Sequence, residues 1–184
     1  MMRLKQYIIL SLLVFSTQNL SAQSIAVKSN MLYDSFGIIS LGAEWKTSKH
    51  GTLNLMGSYN PLQYGAAKWK NFSLQPEYRF WFHRAFTGPF LAANVAWGGF
   101  NTDKIHIGKL YGKHRQGHFI GGGVGGGYHL ILNSRISLDF TLEVDLLHCK
   151  YDKYRDGDIP YLEGKYTSNV VLPIGSGISL AVML

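Results

Sequence analysis

Residues 136–146 alternate without a break. Ile136, Leu138, Phe140, Leu142, Val144 and Leu146 share one face of an extended chain, and Ser137, Asp139, Thr141, Glu143 and Asp145 share the other. Successive side chains of a strand point to opposite faces, so this stretch builds one apolar and one polar wall. The end of the chain repeats the theme with smaller partners. Val170, Leu172, Ile174, Ile178, Leu180, Val182 and Leu184 fall on one face, opposite Val171, Pro173, Gly175, Gly177, Ser179, Ala181 and Met183. Past the first 22 residues no stretch sustains a helical period, so the chain reads as antiparallel sheet.

The same pattern places eight strands at 24–33, 37–46, 52–60, 70–83, 88–100, 117–132, 135–149 and 168–184. Several reach the roughly 9–11 residues that a tilted strand needs to cross a bilayer, whereas globular strands average about 5–6. The connections alternate. Those at 47–51, 84–87 and 133–134 are short, while 61–69, 101–116 and 150–167 are long and polar, with 34–36 the short exception. Aromatics recur near strand ends, at Tyr33, Trp45, Tyr59, Phe72, Phe82, Trp97 and Tyr128, where an interfacial girdle would sit. Pro76 and Pro173 fall inside strands and predict local bulges. The run Gly121-Gly122-Gly123-Val124-Gly125-Gly126-Gly127 lacks the following Lys-Ser/Thr of a phosphate loop. It reads as a strand where backbones approach closely.

Periodicity alone does not say which wall faces out. The non-apolar wall carries Lys28, Asn30, Glu44, Lys46, Asn54, Ser58, Gln75, Glu77, Arg79, Asn94, Asp139, Glu143 and Asp145, interspersed with Gly, Ala and Ser. Charged residues make up 16% of the chain, against about a quarter in a typical soluble domain. Small residues beside charged pairs suit the inside of a narrow barrel. The expected fold is therefore all-β, an eight-stranded antiparallel up-and-down transmembrane β-barrel. Its lumen holds a network of Lys28, Glu44, Glu77, Arg79, Asp139, Glu143 and Asp145, paired because an isolated charge away from water is costly. The rival is a secreted soluble barrel with the apolar wall inside, binding an apolar ligand as lipocalins do.

The first residues fit secretion. Arg3 and Lys5 precede an apolar run, Tyr7 to Phe15, broken only by Ser11, and the small pair Ser21-Ala22 follows. That order marks a signal peptide, residues 1–22, cleaved before Gln23 and leaving 23–184 as the barrel. The remaining chain keeps 16 of 18 basic residues and all 11 acidic ones, a net charge of +5. Such a balance suits partners with negative charge. Cys149 is the only cysteine, which leaves no internal disulfide and no cysteine-based zinc cluster.

Three segments carry a resemblance: Lys28-Ser29-Asn30-Met31-Leu32-Tyr33-Asp34, Tyr59-Asn60-Pro61, and Gln75-Pro76-Glu77-Tyr78-Arg79-Phe80-Trp81-Phe82. In that order they resemble a family of uncharacterised outer-membrane β-barrel proteins of Bacteroides-type bacteria, whose barrel opens with a Lys-Thr-Asn-Leu-Leu-Tyr-Asp motif. The resemblance implies a bacterial outer-membrane location and, through some members, a link with surface fibres. It brings no activity with it.

Catalytic candidates are sparse. His106, His114, His118 and His148 fall near the outer rim, where Ser168 and Asp152 approach His148 in sequence order. A Ser-His-acid site needs a hydrogen-bonded chain of three such groups, and a metal site at His106, His114 and His118 lacks a completing ligand. The long loops are richer. Lys104, Lys109, Lys113 and Arg115 cluster in one; Tyr151, Tyr154 and Arg155 mark the other. Tyr and Arg are enriched where proteins bind one another, and lysines suit lipopolysaccharide phosphates. The sequence thus predicts a monomeric outer-membrane barrel with a structural or surface-interaction role, without enzymatic activity, cofactor or nucleic-acid partner. Outer-membrane lipid, lipopolysaccharide and surface or fibre proteins are the expected partners; a lipid-modifying barrel enzyme is the catalytic alternative. The intact mass of the membrane-extracted protein should correspond to a chain starting at Gln23, and a species retaining Arg3 and Lys5 would contradict the signal assignment.

Overall fold

The computed structural model describes residues 25–64, 67–103, 114–155 and 161–184; the expected signal peptide lies outside them. Strands β1 (Ile25–Asn30), β2 (Ile39–Lys46), β3 (Gly51–Asn60), β5 (Ala67–Trp81), β6 (Gly88–Asp103), β7 (His114–Ile131) and β8 (Ile136–Arg155) each pair antiparallel with the next. The eighth stave is interrupted: β9 (Tyr161–Leu172) pairs with the far part of β8, and β10 (Gly177–Met183) pairs with its near part and with β1, closing the barrel. The short β4 (Gln63–Tyr64) folds onto the start of β5. Following the pairing from Arg135 through Met183, Ala26, Glu44, Asn54, Glu77, Asn94 and Gly123 returns at Asp145, ten residues farther along. An eight-stranded barrel with such a stagger is tilted and narrow, with room inside for side chains or one small ligand.

Strand β1 ends where its sequence turns helical. The Asn30 carboxamide oxygen accepts from the backbone N–H groups of Leu32 and Tyr33 at 3.1 and 3.2 Å, starting the one-turn helix α1 (Met31–Ser35). Asp34 then ties the helix to β2, accepting from Ser40 N at 3.1 Å and Ser40 Oγ at 3.0 Å. The first strand therefore stops at Asn30 rather than 33, and the connection expected at 34–36 runs from Met31 to Ile38 and begins as a helix, because an Asn cap satisfies the orphan N–H groups there.

The apolar wall faces out. Leu142 is 72% exposed and Val124 67%, whereas Asp139, Asp145 and Glu44 are fully buried. The ladder runs farther than the sequence suggested at the loop end. Arg115 belongs to β7, and Tyr151, Tyr154 and Arg155 belong to β8, which pairs residue for residue with β7 and, with one register shift between Lys153 and Tyr154 where Glu163 is extra, with β9. These four are strand residues rather than loop residues. Tyr59, Phe72, Phe82, Trp97 and Tyr128 stand exposed on the outer surface, with Phe72 edge-on to Trp97 at 5.4 Å. Tyr33 departs from that girdle: its hydroxyl donates to the Ile174 carbonyl.

The two prolines behave differently. At Pro76 there is no bulge: β5 keeps one register with β3 throughout and resumes the same register with β6 after Gln75 and Pro76. At Pro173 four residues, 173–176, face three, 142–144. An odd residue in a strand reverses which side chains face which way. The apolar stripe expected to run unbroken from Val170 to Leu184 is consequently split. Ile178, Leu180 and Val182 point outward, while Val170, Leu172 and Ile174 line the interior.

The glycine run lines the lumen wall opposite β8. A Cβ at Gly125 would lie 2.5 Å from Glu143 Cγ, and one at Gly127 would lie 2.6 Å from the Phe90 ring. Both positions clear space for side chains from neighbouring strands. Gly125→Val should therefore destabilise the barrel by about 1–3 kcal/mol through overpacking. The midpoint of urea unfolding measures it, and an unchanged midpoint would show that Glu143 moves aside freely.

Candidate functional site: a buried charge network beneath an apolar cavity

The alternation that sends leucines outward drives charged side chains inward from four strands and a histidine from a fifth. Asp139 on β8 accepts from Arg79 Nη1 at 2.7 Å, pairs with the Lys28 ammonium, and meets the His129 ring. Glu44 on β2 takes the same ammonium, Arg79 Nη1 at 3.3 Å and the Thr52 hydroxyl. Glu77 pairs with Arg79 Nε. Two cations thus serve three carboxylates, and all five side chains are at least 95% buried. The Arg79 guanidinium also lies 4.4 Å from the Phe90 ring centroid.

Below the network the turn end is closed by packing. Trp81, Phe86 and Phe90 form a buried cluster with Ala26, Ala85 and Ala92. Trp81 donates its indole N–H to Thr52 Oγ1 at 2.9 Å, which joins the apolar floor to the charges above. Phe86 holds a left-handed φ of 63°, its ring 5.9 Å from Trp81 and 6.2 Å from His129.

Glu143 and Asp145 were expected in the same network, but among the described residues neither forms an ion pair. Glu143 accepts from Asn94 Nδ2 at 2.7 Å and Gln75 Nε2 at 3.2 Å, and Asp145 accepts from the Ile174 backbone N–H at 3.0 Å. The physical reason is that Lys28 and Arg79 are already engaged by Glu44, Glu77 and Asp139 lower down. His129 was missed by the sequence reading. Its position on the inward face of the glycine-rich strand, directly paired with Asp139, was the available signal.

Above Asp145 the interior changes character. An apolar cavity of about 730 Å³ opens among Phe100, Phe119, Leu147, Val170, Leu172 and Ile174. At the rim, Tyr151 stacks on Tyr166 at 5.9 Å, and Arg115 lies 5.4 Å from the Tyr151 ring. Lys153 pairs with Glu163 at 2.5 Å, and Tyr154 stacks on His114 at 4.8 Å. Lys104, Lys109, Lys113 and His106 lie outside the described residues.

A family model described as "Protein of unknown function (DUF3575)" matches residues 7–184. The chain belongs to the DUF3575 family. No curated protein and no solved structure matches it.

In this DUF3575 member His148 does not assemble with Ser168. Ser168 pairs with Cys149 and lines the cavity, whereas His148 is exposed on the outer face, 2.8 Å from Asn169 Oδ1. Adjacent strand positions point oppositely, so the two side chains stand on different sides of the wall. Among the described residues no three His, Cys, Asp or Glu side chains gather to hold a metal. The opening segment has structural duties instead: Lys28 enters the charge network, Asn30 caps α1, and Asp34 holds Ser40. Arg79→Ala should cost this barrel about 3–5 kcal/mol, because Glu44, Glu77 and Asp139 lose a shared partner while remaining buried. The urea unfolding midpoint is the measurement; an unshifted value would mean that water reaches these carboxylates.

Proposed function

We propose that this DUF3575 protein is a bacterial outer-membrane barrel with a filled, charged lumen, serving a structural or surface-interaction role rather than a catalytic one. One observation carries the reading: the exposed wall is apolar and the buried wall is charged, the reverse of a barrel built for water. Leu41, Leu91, Val95, Val124, Leu142 and Val144 form part of this outer surface, and a contiguous apolar surface of this kind marks contact with lipid or protein. The rival soluble barrel needs the opposite arrangement, with the branched apolar wall inside.

The interaction role is supported by height. Strands of 18 and 20 residues at β7 and β8 exceed by nearly twofold the roughly 9–11 residues that span a bilayer. The excess lifts the Tyr151–Tyr166 and His114–Tyr154 stacks and the Lys153–Glu163 pair clear of the hydrocarbon. Such aromatic and cationic groups suit lipopolysaccharide phosphates or a surface or fibre protein, with the barrel itself a monomer.

Cysteines placed singly along 138–146, after Cys149→Ser, decide which wall meets lipid. Fluorophores at even positions should be quenched by lipid-borne quenchers and those at odd positions should not. Quenching of the odd set, or of neither, would sink the membrane reading. Leu142→Arg should impair insertion by about 2–4 kcal/mol, while Thr141→Ser should be nearly silent. In planar bilayers the protein should show no stable conductance of general-porin size, since Arg79, Asp139 and Trp81 occupy the lumen; such a conductance would refute the filled interior.

A further inference from the structure

The cavity above the charge network is not accounted for by a purely structural barrel. An eight-stranded lumen is ordinarily filled by its own side chains, yet here Ser58, Ser73 and Ser168 line a space of about 730 Å³. That volume lies within the range of about 300–1,000 Å³ typical of small-molecule sites. Its walls are mainly aromatic and aliphatic, contributed by β6, β7, β8 and β9, and water finds few partners in such a space.

The cavity has one charged landmark and one gap. Arg115 lines it from the rim end of β7, with its Nε buried and without a hydrogen-bond partner. No carboxylate among the described residues lies within ion-pair distance of that guanidinium. The gap is in the wall. Strand β1 stops at Asn30 and turns into α1, so along Tyr161–Leu172 strand β9 pairs only with β8 among the described residues. Beside that free edge the cavity lining passes through Leu32, Phe36 and Ile38, and Phe36 is 64% and Leu172 44% exposed. Apolar surface therefore runs continuously from the interior to the outer wall.

We propose that this cavity binds a single long-chain fatty acid, its hydrocarbon chain among Phe119, Leu147 and Leu172 and its carboxylate on Arg115, entering sideways past β9. A cation with no carboxylate partner among the described residues and one apolar chamber match one carboxylate and one chain. The entry route rests on the membrane reading; the binding site does not.

Cys149 lines the cavity and is the only cysteine, so it reports occupancy without mutation. The full-length protein in phosphatidylcholine nanodiscs is treated with N-ethylmaleimide with and without palmitate. Palmitate should slow modification at least tenfold, and saturated acids from eight carbons upward should bind about fourfold tighter per added methylene until the chamber is full. Arg115→Gln should weaken palmitate about tenfold and leave hexadecanol unchanged. Retention of radiolabelled palmitate should be lost in Ser73→Trp. Equal rates with and without palmitate, where Cys149 reacts readily, would overturn the proposal. Protection already complete without palmitate would assign the space to a tail of the bilayer lipid, which also overturns the free-acid reading. An equal loss of acid and alcohol in Arg115→Gln would remove Arg115 from the site. Lipid quenching at 138–146 on Cys149→Ser nanodiscs prepared alike tells a barrel that never inserted from an inserted one that binds no acid.

Discussion

The contact of Arg79 with Asp139 spans the lumen, and the rest of the interior is arranged around it. Arg79 comes from β5 and Asp139 from β8, strands that are not neighbours in the sheet. Lys28 ties the same Asp139 to Glu44, drawing in β1 and β2, and His129 adds β7. The cluster is thus a cross-brace linking positions around the circumference. Charges so thoroughly removed from water are held only while each keeps its partners. The brace is therefore an all-or-none device, and the glycines of β7 clear space beside it for Glu143, Asp145 and Phe90.

Much of this could be read from residue order. Strict alternation through 136–146 specified the two walls, and the charges confined to one of them included Lys28, Glu44, Glu77, Arg79 and Asp139, which pair, as well as Glu143 and Asp145, which among the described residues do not. The all-β class and the closed barrel followed from the same period. What escaped the sequence was whatever depends on counting residues across a pair of strands. Pro173 predicted a bulge, and four residues stand against three there, but Pro76 predicted one equally and leaves its register intact, so the proline alone does not say how many residues will face how many. The ladder at Tyr151 to Arg155 was equally hidden, because polar residues beyond the apolar band look like loop until their partners in β7 and β9 are known. His129 lay among glycines and leucines, and only its place opposite Asp139 gives it a role.

The lumen has two halves with opposite chemistry. Toward the turn end it is charged and packed shut over Trp81, Phe86 and Phe90; toward the loop end it is apolar and open among Phe100, Phe119 and Val170. Glu143 and Asp145 stand at the boundary, bound by amide and backbone donors instead of cations. The division separates duties physically. The lower half holds the strands together, and the upper half is relieved of that task, which is the condition under which a wall can be left unpaired along β9.

The extra residue at 173–176 makes the upper chamber what it is. Were the alternation regular through 173–176, Val170 and Leu172 would share the outward face of Ile178 and Leu180, and Val171 would look inward. The bulge, at a point where Pro173 interrupts the ladder, lets residues of one parity face outward on β10 and inward on β9. A relative with the same alternation but no bulge there would turn its aliphatic side chains outward along β9, so near-identical patterning need not mean a shared chamber.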